Sequence, residues 1–136
     1  MERDTLIDIA VLILRLAVGV IFVAHGMQKL FGAFGGGGID GLAKLLENIG
    51  LAAPVFWAWV AAIAEGAGGL FLLLGVVPRI SAGMILIVMT VAIVKVHGSN
   101  GFFLRDGGFE YPFLILMNCA TLMLIGSGKF SLFNKY

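Results

Sequence analysis

The sequence predicts an all-α integral membrane protein, a bundle of four transmembrane helices with a short interfacial helix between helices 1 and 2. Of its 136 residues, 60% are hydrophobic and 12% are charged, against about 45–50% and about 25% in an average soluble domain. Its mean hydropathy is +1.06. A small soluble domain exposes too much of its surface to bury this much apolar area. Soluble enzymes and disordered chains are therefore excluded, and the lipid bilayer is the expected partner.

Charge and cysteine content exclude two further classes of protein. The net charge of +1 provides no basic field that would attract phosphates, so we expect no nucleic-acid partner. The single cysteine, Cys119, permits neither an intramolecular disulfide nor a CxxC pair. Thiol–disulfide exchangers that use paired cysteines are therefore excluded.

Four apolar segments fall near the length that crosses the hydrocarbon core of a bilayer. They lie at about residues 7–29, 54–77, 80–97 and 110–125, within a single domain of residues 1–136. A spanning helix needs about 20 residues, and the last two segments are somewhat short. Backbone polar groups in lipid must be satisfied within the chain, so we expect these segments to be helices.

The connection between the first two segments is long and contains a predicted helix of its own. Its leucine and isoleucine side chains recur at helical spacing, and Gly50 suits a helix C-cap. These apolar residues are Leu42, Leu45, Leu46 and Ile49. The pattern predicts a short amphipathic helix that lies in the membrane interface.

The Lys and Arg residues at the helix ends slightly favour one orientation of the bundle in the membrane. Four helices place both termini and the turn at Pro78 on the same side of the membrane. That side holds four Lys and Arg residues and the other holds three or four, while the loops on the other side are longer and more acidic. The positive-inside rule then favours a cell-membrane protein with cytoplasmic termini.

Ionisable residues inside the apolar segments are candidates for function, since a charge at a helix centre costs at least about 2.5–3.5 kcal/mol on insertion scales. Arg15 and Glu65 lie on antiparallel helices at similar expected depths, so they are predicted to form an ion pair. This pair has two interpretations. It is either a structural clamp between helices or the charged floor of a ligand site.

A second group of polar residues is expected at one mouth of the bundle. Helices 1 and 3 run in the same direction, so His25 and His97 approach the same face, together with Lys29 and Glu110. We predict a ligand-binding pocket bordered by His25, Lys29, Glu65, His97 and Glu110. Histidine and lysine would suit a quinone headgroup. The alternative is a hydrogen-bonded cap that joins the helices to the loop of residues 98–109.

Haem and metal are poorly supported by these residues. Two histidines on facing helices could ligate either group. The sequence contains no H-x-x-x-H and no CxxCH pattern. Haem is therefore not expected, no metal site is predicted, and the cofactor stays open, with a quinone as one candidate.

Several short motifs resemble the DoxX family of small four-helix bacterial and archaeal membrane proteins. The resemblance covers nearly the whole chain. The motifs are residues 15–19 (RLAVG), 25–30 (HGMQKL), 65–70 (EGAGGL), 107–111 (GGFEY) and 126–132 (GSGKFSL).

The resemblance implies redox work at the membrane. The family takes its name from an association with a quinone-reducing thiosulfate oxidoreductase, and related members act in oxidative-stress and thiol defence with a superoxide dismutase and a sulfurtransferase. It transfers no catalytic residues to this chain. We therefore expect a membrane component of a quinone- or thiol/sulfur-linked redox system. The alternatives are a non-catalytic scaffold that recruits soluble redox proteins, or a small transporter that functions as a homo-oligomer.

Overall fold

A computed structural model describes residues 2–132, and it builds this part of the chain from helices and tight turns. The α-helices are α1 (Arg3–Phe31), α2 (Gly38–Asn48), α3 (Pro54–Leu74), α4 (Pro78–Val91) and α5 (Glu110–Ile125). A π-helical segment, Ala92–His97, continues α4, and 3-10 turns occupy Ala33–Gly35, Gly98–Asn100 and Leu104–Asp106. The prediction of an all-helical fold is confirmed for the described residues.

Three helical segments in the described range are long and apolar enough to cross a membrane. They are α1, α3 and the continuous segment Pro78–Asn100, whereas α5 has 16 residues. Large apolar side chains cover the outside of the helices, among them Val20, Ile63 and Leu124. Such a surface would aggregate in water but is stable against lipid tails. The protein is therefore a membrane protein.

Two of the helix ends that differ from the predicted boundaries are fixed by glycine and proline. α3 ends at Leu74 because Gly75 adopts a left-handed conformation with φ 71°, which a side chain would disfavour. The Gly75 N–H donates to the carbonyl of Leu72. α4 then begins at Pro78, since proline lacks the N–H that the first helical position leaves unbonded.

α1 and α3 pack at very close range through glycines. A Cβ atom added at Gly69 would lie 2.7 Å from the backbone nitrogen of Val23, and one added at Gly26 would collide with the Cα atom of Gly66. Small residues permit such close approach between helices in bilayers. These contacts set the register of the antiparallel pair, with Gly26 opposite Gly66.

The buried core joins α1, α3, α4 and α5, whereas α2 is attached to its flank. The largest apolar side chains at the centre include Phe22, Leu72, Ile85 and Leu122. Ala43 and Leu46 of α2 pack against Ala58 of α3 in a second, smaller cluster. α2 therefore lies against the bundle over its apolar face. Its position relative to the membrane interface stays a prediction.

After α5 the chain returns to the end of the bundle at which α1 begins. The backbone N–H of Lys129 donates to Asp8 Oδ1 at 2.9 Å. The N–H of Leu132 donates to the carbonyl of Leu74 at 3.1 Å. The segment of residues 126–132, here called the C-terminal segment, is therefore bonded to both α1 and the end of α3.

Candidate functional site

A cavity of about 460 Å³ lies between α1, α2, α3, the π-helical segment and the start of α5. Its volume is within the range of about 300–1,000 Å³ that is typical of small-molecule sites. Most of its lining is apolar, with walls from α2, α3 and α4. The ionisable residues that line it are His25, Lys29, Glu65, His97 and Tyr111. The arrangement suits a ligand with an apolar body and a small polar group.

Lys29 and Glu65 form an ion pair at this cavity. The ammonium group of Lys29 donates to Glu65 Oε1. The Glu65 side chain is 1% exposed and that of Lys29 is 27% exposed. The second carboxylate oxygen, Glu65 Oε2, is buried and has no hydrogen-bond partner among residues 2–132.

The predicted Arg15–Glu65 ion pair is wrong, because the helix register separates these two residues. Gly26 lies opposite Gly66, so Glu65 lies at the level of Met27 on α1. Arg15 is twelve positions away from that level, or about 18 Å at a rise of 1.5 Å per residue. Lys29 is only two positions away from that level, and it is the ion-pair partner of Glu65 in place of Arg15.

Arg15 is instead bonded to main-chain carbonyl groups at the other end of the bundle. Its Nε donates to the carbonyl of Leu72 at 2.9 Å, and Nη2 donates to that of Leu73 at 3.2 Å. Its Nη1 donates to the carbonyls of Ser127 at 2.9 Å and Phe130 at 2.6 Å. Arg15 is 1% exposed, and it clamps α1 to the end of α3 and to the C-terminal segment. It does not line the cavity.

His97 connects the cavity to the loop that follows it. Its Nδ1 lies 2.7 Å from the carbonyl oxygen of Gly107. A carbonyl only accepts hydrogen bonds, so Nδ1 is the protonated donor, and Nε2 of the neutral ring is an acceptor. Asn100 also donates to this carbonyl, at 3.2 Å. His97 thus fixes the loop, as the cap interpretation required, and it also lines the cavity.

His25 lies one helical turn before Lys29 and lines the same cavity. Its ring centroid is 6.1 Å from that of Phe22. The imidazole has no hydrogen-bond partner among the residues that the structure describes. It therefore remains available to donate to, or accept from, a bound molecule.

Glu110 lies outside the cavity, so its predicted place in the pocket is wrong. Its Oε2 accepts a hydrogen bond from the backbone N–H of Leu104 at 2.8 Å, and this contact directs the side chain toward the loop. Glu110 borders a separate shallow hollow with Phe103 and Arg105. The next residue, Tyr111, lines the cavity instead.

α2 forms a wall of the cavity, which its amphipathic pattern alone does not indicate. The apolar residues that identified α2 as amphipathic line the cavity: Leu42, Leu45, Leu46 and Ile49. The signal was therefore present in the spacing, but it was interpreted as a surface for lipid. The π-helical geometry at Ala92–His97 was also unforeseen, and such segments occur often at functional sites.

The fold and the cavity define a small helical membrane protein with a partly open, largely apolar cavity. The family model for DoxX matches residues 10–98, a range that contains His25, Lys29, Glu65 and His97. The chain belongs to the DoxX family.

Curated relatives extend this similarity beyond the family model. "Putative oxidoreductase CatD" from Bacillus subtilis is 32% identical over 120 residues, which cover 88% of this chain and 81% of the relative. "Uncharacterized membrane protein Rv3486" from Mycobacterium tuberculosis is 29% identical over 134 residues, which cover 90% of this chain and 78% of the relative. No solved structure matches the chain significantly.

Proposed function

We propose that the protein is the membrane component of a redox system and that its cavity binds a lipid-soluble, quinone-type ligand. The observation that carries this proposal is the cavity of about 460 Å³, which is apolar except where His25, Lys29, Glu65, His97 and Tyr111 meet it. The name of the Bacillus subtilis relative supports a redox association. Partners of the superoxide dismutase or sulfurtransferase type stay a prediction.

The polar residues of the cavity match the chemistry of a quinone ring. Quinone oxygens accept hydrogen bonds, and an ammonium group has three N–H donors. Lys29 uses one donor on Glu65, so two remain, and His25 can supply another. The apolar walls would hold the tail of such a ligand out of water. When bound, the quinone supplies the electron-accepting chemistry, while this chain binds and orients it.

A first experiment measures quinone binding directly. Trp57 lines the cavity and Trp59 does not, so a Trp59→Phe variant leaves Trp57 as the reporter. We expect decylubiquinone to quench Trp57 fluorescence saturably. We expect His25→Leu, which removes the donor, to weaken binding about three- to tenfold, since a neutral hydrogen bond is worth about 0.5–1.5 kcal/mol.

The control for this experiment is Thr121→Val. Thr121 bonds only to the Met117 carbonyl of its own helix and lies outside the cavity, so this variant should bind quinone as the parent does. Thermal unfolding of each variant separates lost binding from lost folding. The absence of saturable quenching in the parent protein would remove the quinone proposal.

We also propose that α5 crosses the membrane, so that four helices span it and both termini are cytoplasmic. Tyr111 at the start of α5 lines the same cavity as Lys29, near the end of α1. The C-terminal segment contacts Asp8, near the start of α1. These contacts support a path for α5 that matches the height of α1, although α5 itself is shorter than about 20 residues.

Cysteine labelling in intact cells tests this topology. Cys119 is fully buried, and its replacement by alanine removes the background. We expect an impermeant maleimide to label Arg105→Cys but not Arg3→Cys or Lys129→Cys, since the last two lie at the opposite end of the bundle. Labelling of positions 105 and 129 from the same side would show that α5 does not cross.

A further inference from the structure

One buried acceptor at the cavity has no donor. Glu65 Oε2 has no hydrogen-bond partner among the described residues, and the Glu65 side chain is 1% exposed. Nearly all buried polar atoms in folded proteins are bonded. A buried charged oxygen without a donor is costly, because it has lost its water and gained nothing in return. Because Glu65 lines the cavity, a molecule that enters the cavity can supply the missing donor to Oε2.

The chemistry of that partner follows from the ion pair. Lys29 bonds to Oε1, so the carboxylate is ionised and Oε2 can only accept a hydrogen bond. Glu65 Oε2 therefore needs a hydrogen-bond donor, while the free N–H groups of Lys29 can bond an oxygen of the same ligand. The rest of the lining suits an apolar body.

We propose that the cavity selects ligands that carry a hydroxyl donor on an apolar or aromatic body, with the O–H group bonded to Glu65 Oε2. This inference rests on the proposed function and names the form of ligand that the site prefers. A quinone has only acceptor oxygens, whereas its reduced hydroquinone has two O–H groups. The site therefore binds the reduced form more tightly than the oxidised form.

The size of this preference follows from the hydrogen bond. A bond to a charged group in a low-dielectric site corresponds to about tenfold or more in affinity. Tighter binding of the reduced form raises the midpoint potential of the bound couple. A tenfold preference in a two-electron couple corresponds to about 30 mV.

A pair of ligands that differ only in the donor tests the inference without redox chemistry. Para-hexylphenol has the O–H group, and para-hexylanisole replaces its proton with a methyl group while keeping the apolar body. Isothermal titration calorimetry of the full chain in lipid nanodiscs gives both dissociation constants. We expect the phenol to bind at least about tenfold more tightly than the ether.

Two Glu→Gln variants show which carboxylate the phenol hydroxyl group is bonded to. Glu65→Gln removes the charged acceptor, so we expect the preference for the phenol to fall below about threefold. Glu47→Gln makes the same chemical change on the exposed surface of α2, outside the cavity, and should keep the tenfold preference. If Glu65→Gln does not fold, the comparison of the two ligands on the unmodified protein still decides the question.

The outcomes separate this inference from the proposal on which it rests. If both ligands bind with equal affinity, the inference is overturned, and the cavity remains an apolar ligand site. If neither ligand binds and decylubiquinone also fails to bind, the proposed function fails with it. If the preference is the same in Glu65→Gln and Glu47→Gln, the donor is bonded elsewhere and the assignment to Oε2 is wrong.

Discussion

Replacing Arg15 with methionine is expected to lower the free energy of unfolding by about 3–5 kcal/mol, because it removes the shared donor of several carbonyl groups. The guanidinium donates to the carbonyls of Leu72, Leu73, Ser127 and Phe130. The Leu72 carbonyl keeps the Gly75 N–H as a donor, but each of the other carbonyls left without one costs about 1–3 kcal/mol where it is shielded from water. The change also releases the C-terminal segment, since two of these bonds hold it against α1.

The measurement is equilibrium unfolding in mixed micelles, with Arg79→Met as the matched control. Arg79 is exposed, so its removal should change the free energy of unfolding by less than about 0.5 kcal/mol. Arg15→Lys keeps the charge but not the planar guanidinium with its five donors. Its free energy of unfolding should therefore lie between those of the parent protein and Arg15→Met. Equal stabilities for Arg15→Met and Arg79→Met would contradict the clamp.

Gly69→Ala is expected to lower the free energy of unfolding by about 1–3 kcal/mol, the usual cost of overpacking. The added methyl group would lie 2.7 Å from the Val23 nitrogen and 2.8 Å from the carbonyl carbon of Phe22. Both are backbone atoms, so α1 and α3 would have to move apart. Because the Lys29–Glu65 pair lies on the same helix interface, ligand binding should weaken together with stability.

Gly83→Ala in α4 is the control for this experiment. A Cβ atom there would lie 3.6 Å from the Cε atom of Met123, which is ordinary van der Waals contact. Alanine is also a better helix former than glycine, by up to about 1 kcal/mol. This variant should therefore be neutral or slightly stabilised. If Gly69→Ala is as stable as Gly83→Ala, the close glycine packing between α1 and α3 does not stabilise these two helices.

The sequence predicted the helices well and their register poorly. Hydropathy alone places the apolar segments, because lipid selects for length and composition. The depth of Arg15 and Glu65 was judged from the expected helix ends, but the contact of Gly26 with Gly66 sets their true relation. Glycines reveal that helices approach closely, but they do not reveal which glycine meets which.

The polar end of the site was partly predictable for a similar reason. Parallel helices bring His25 and His97 to the same end of a bundle, and the structure places both at one cavity. Glu110 was predicted to border the pocket only because it begins the fourth helix at the same depth. Its carboxylate instead accepts a hydrogen bond from the backbone N–H of Leu104. The placement of α2 was not predictable, because a glycine-rich connection permits an amphipathic helix to cover many surfaces.

The position of Arg15 in the chain also constrains how the protein is made. Its bond to Ser127 joins residues 112 positions apart, so α1 enters the membrane long before this partner exists. At a synthesis rate of about 5–20 residues per second, the delay is about 6–20 s. Through this interval the nascent α1 carries a charge that disfavours its residence in lipid. Arg15 therefore gains its full set of acceptors only when the C-terminal segment emerges, and a ribosome stalled before residue 127 leaves Arg15 with two of its four carbonyl partners.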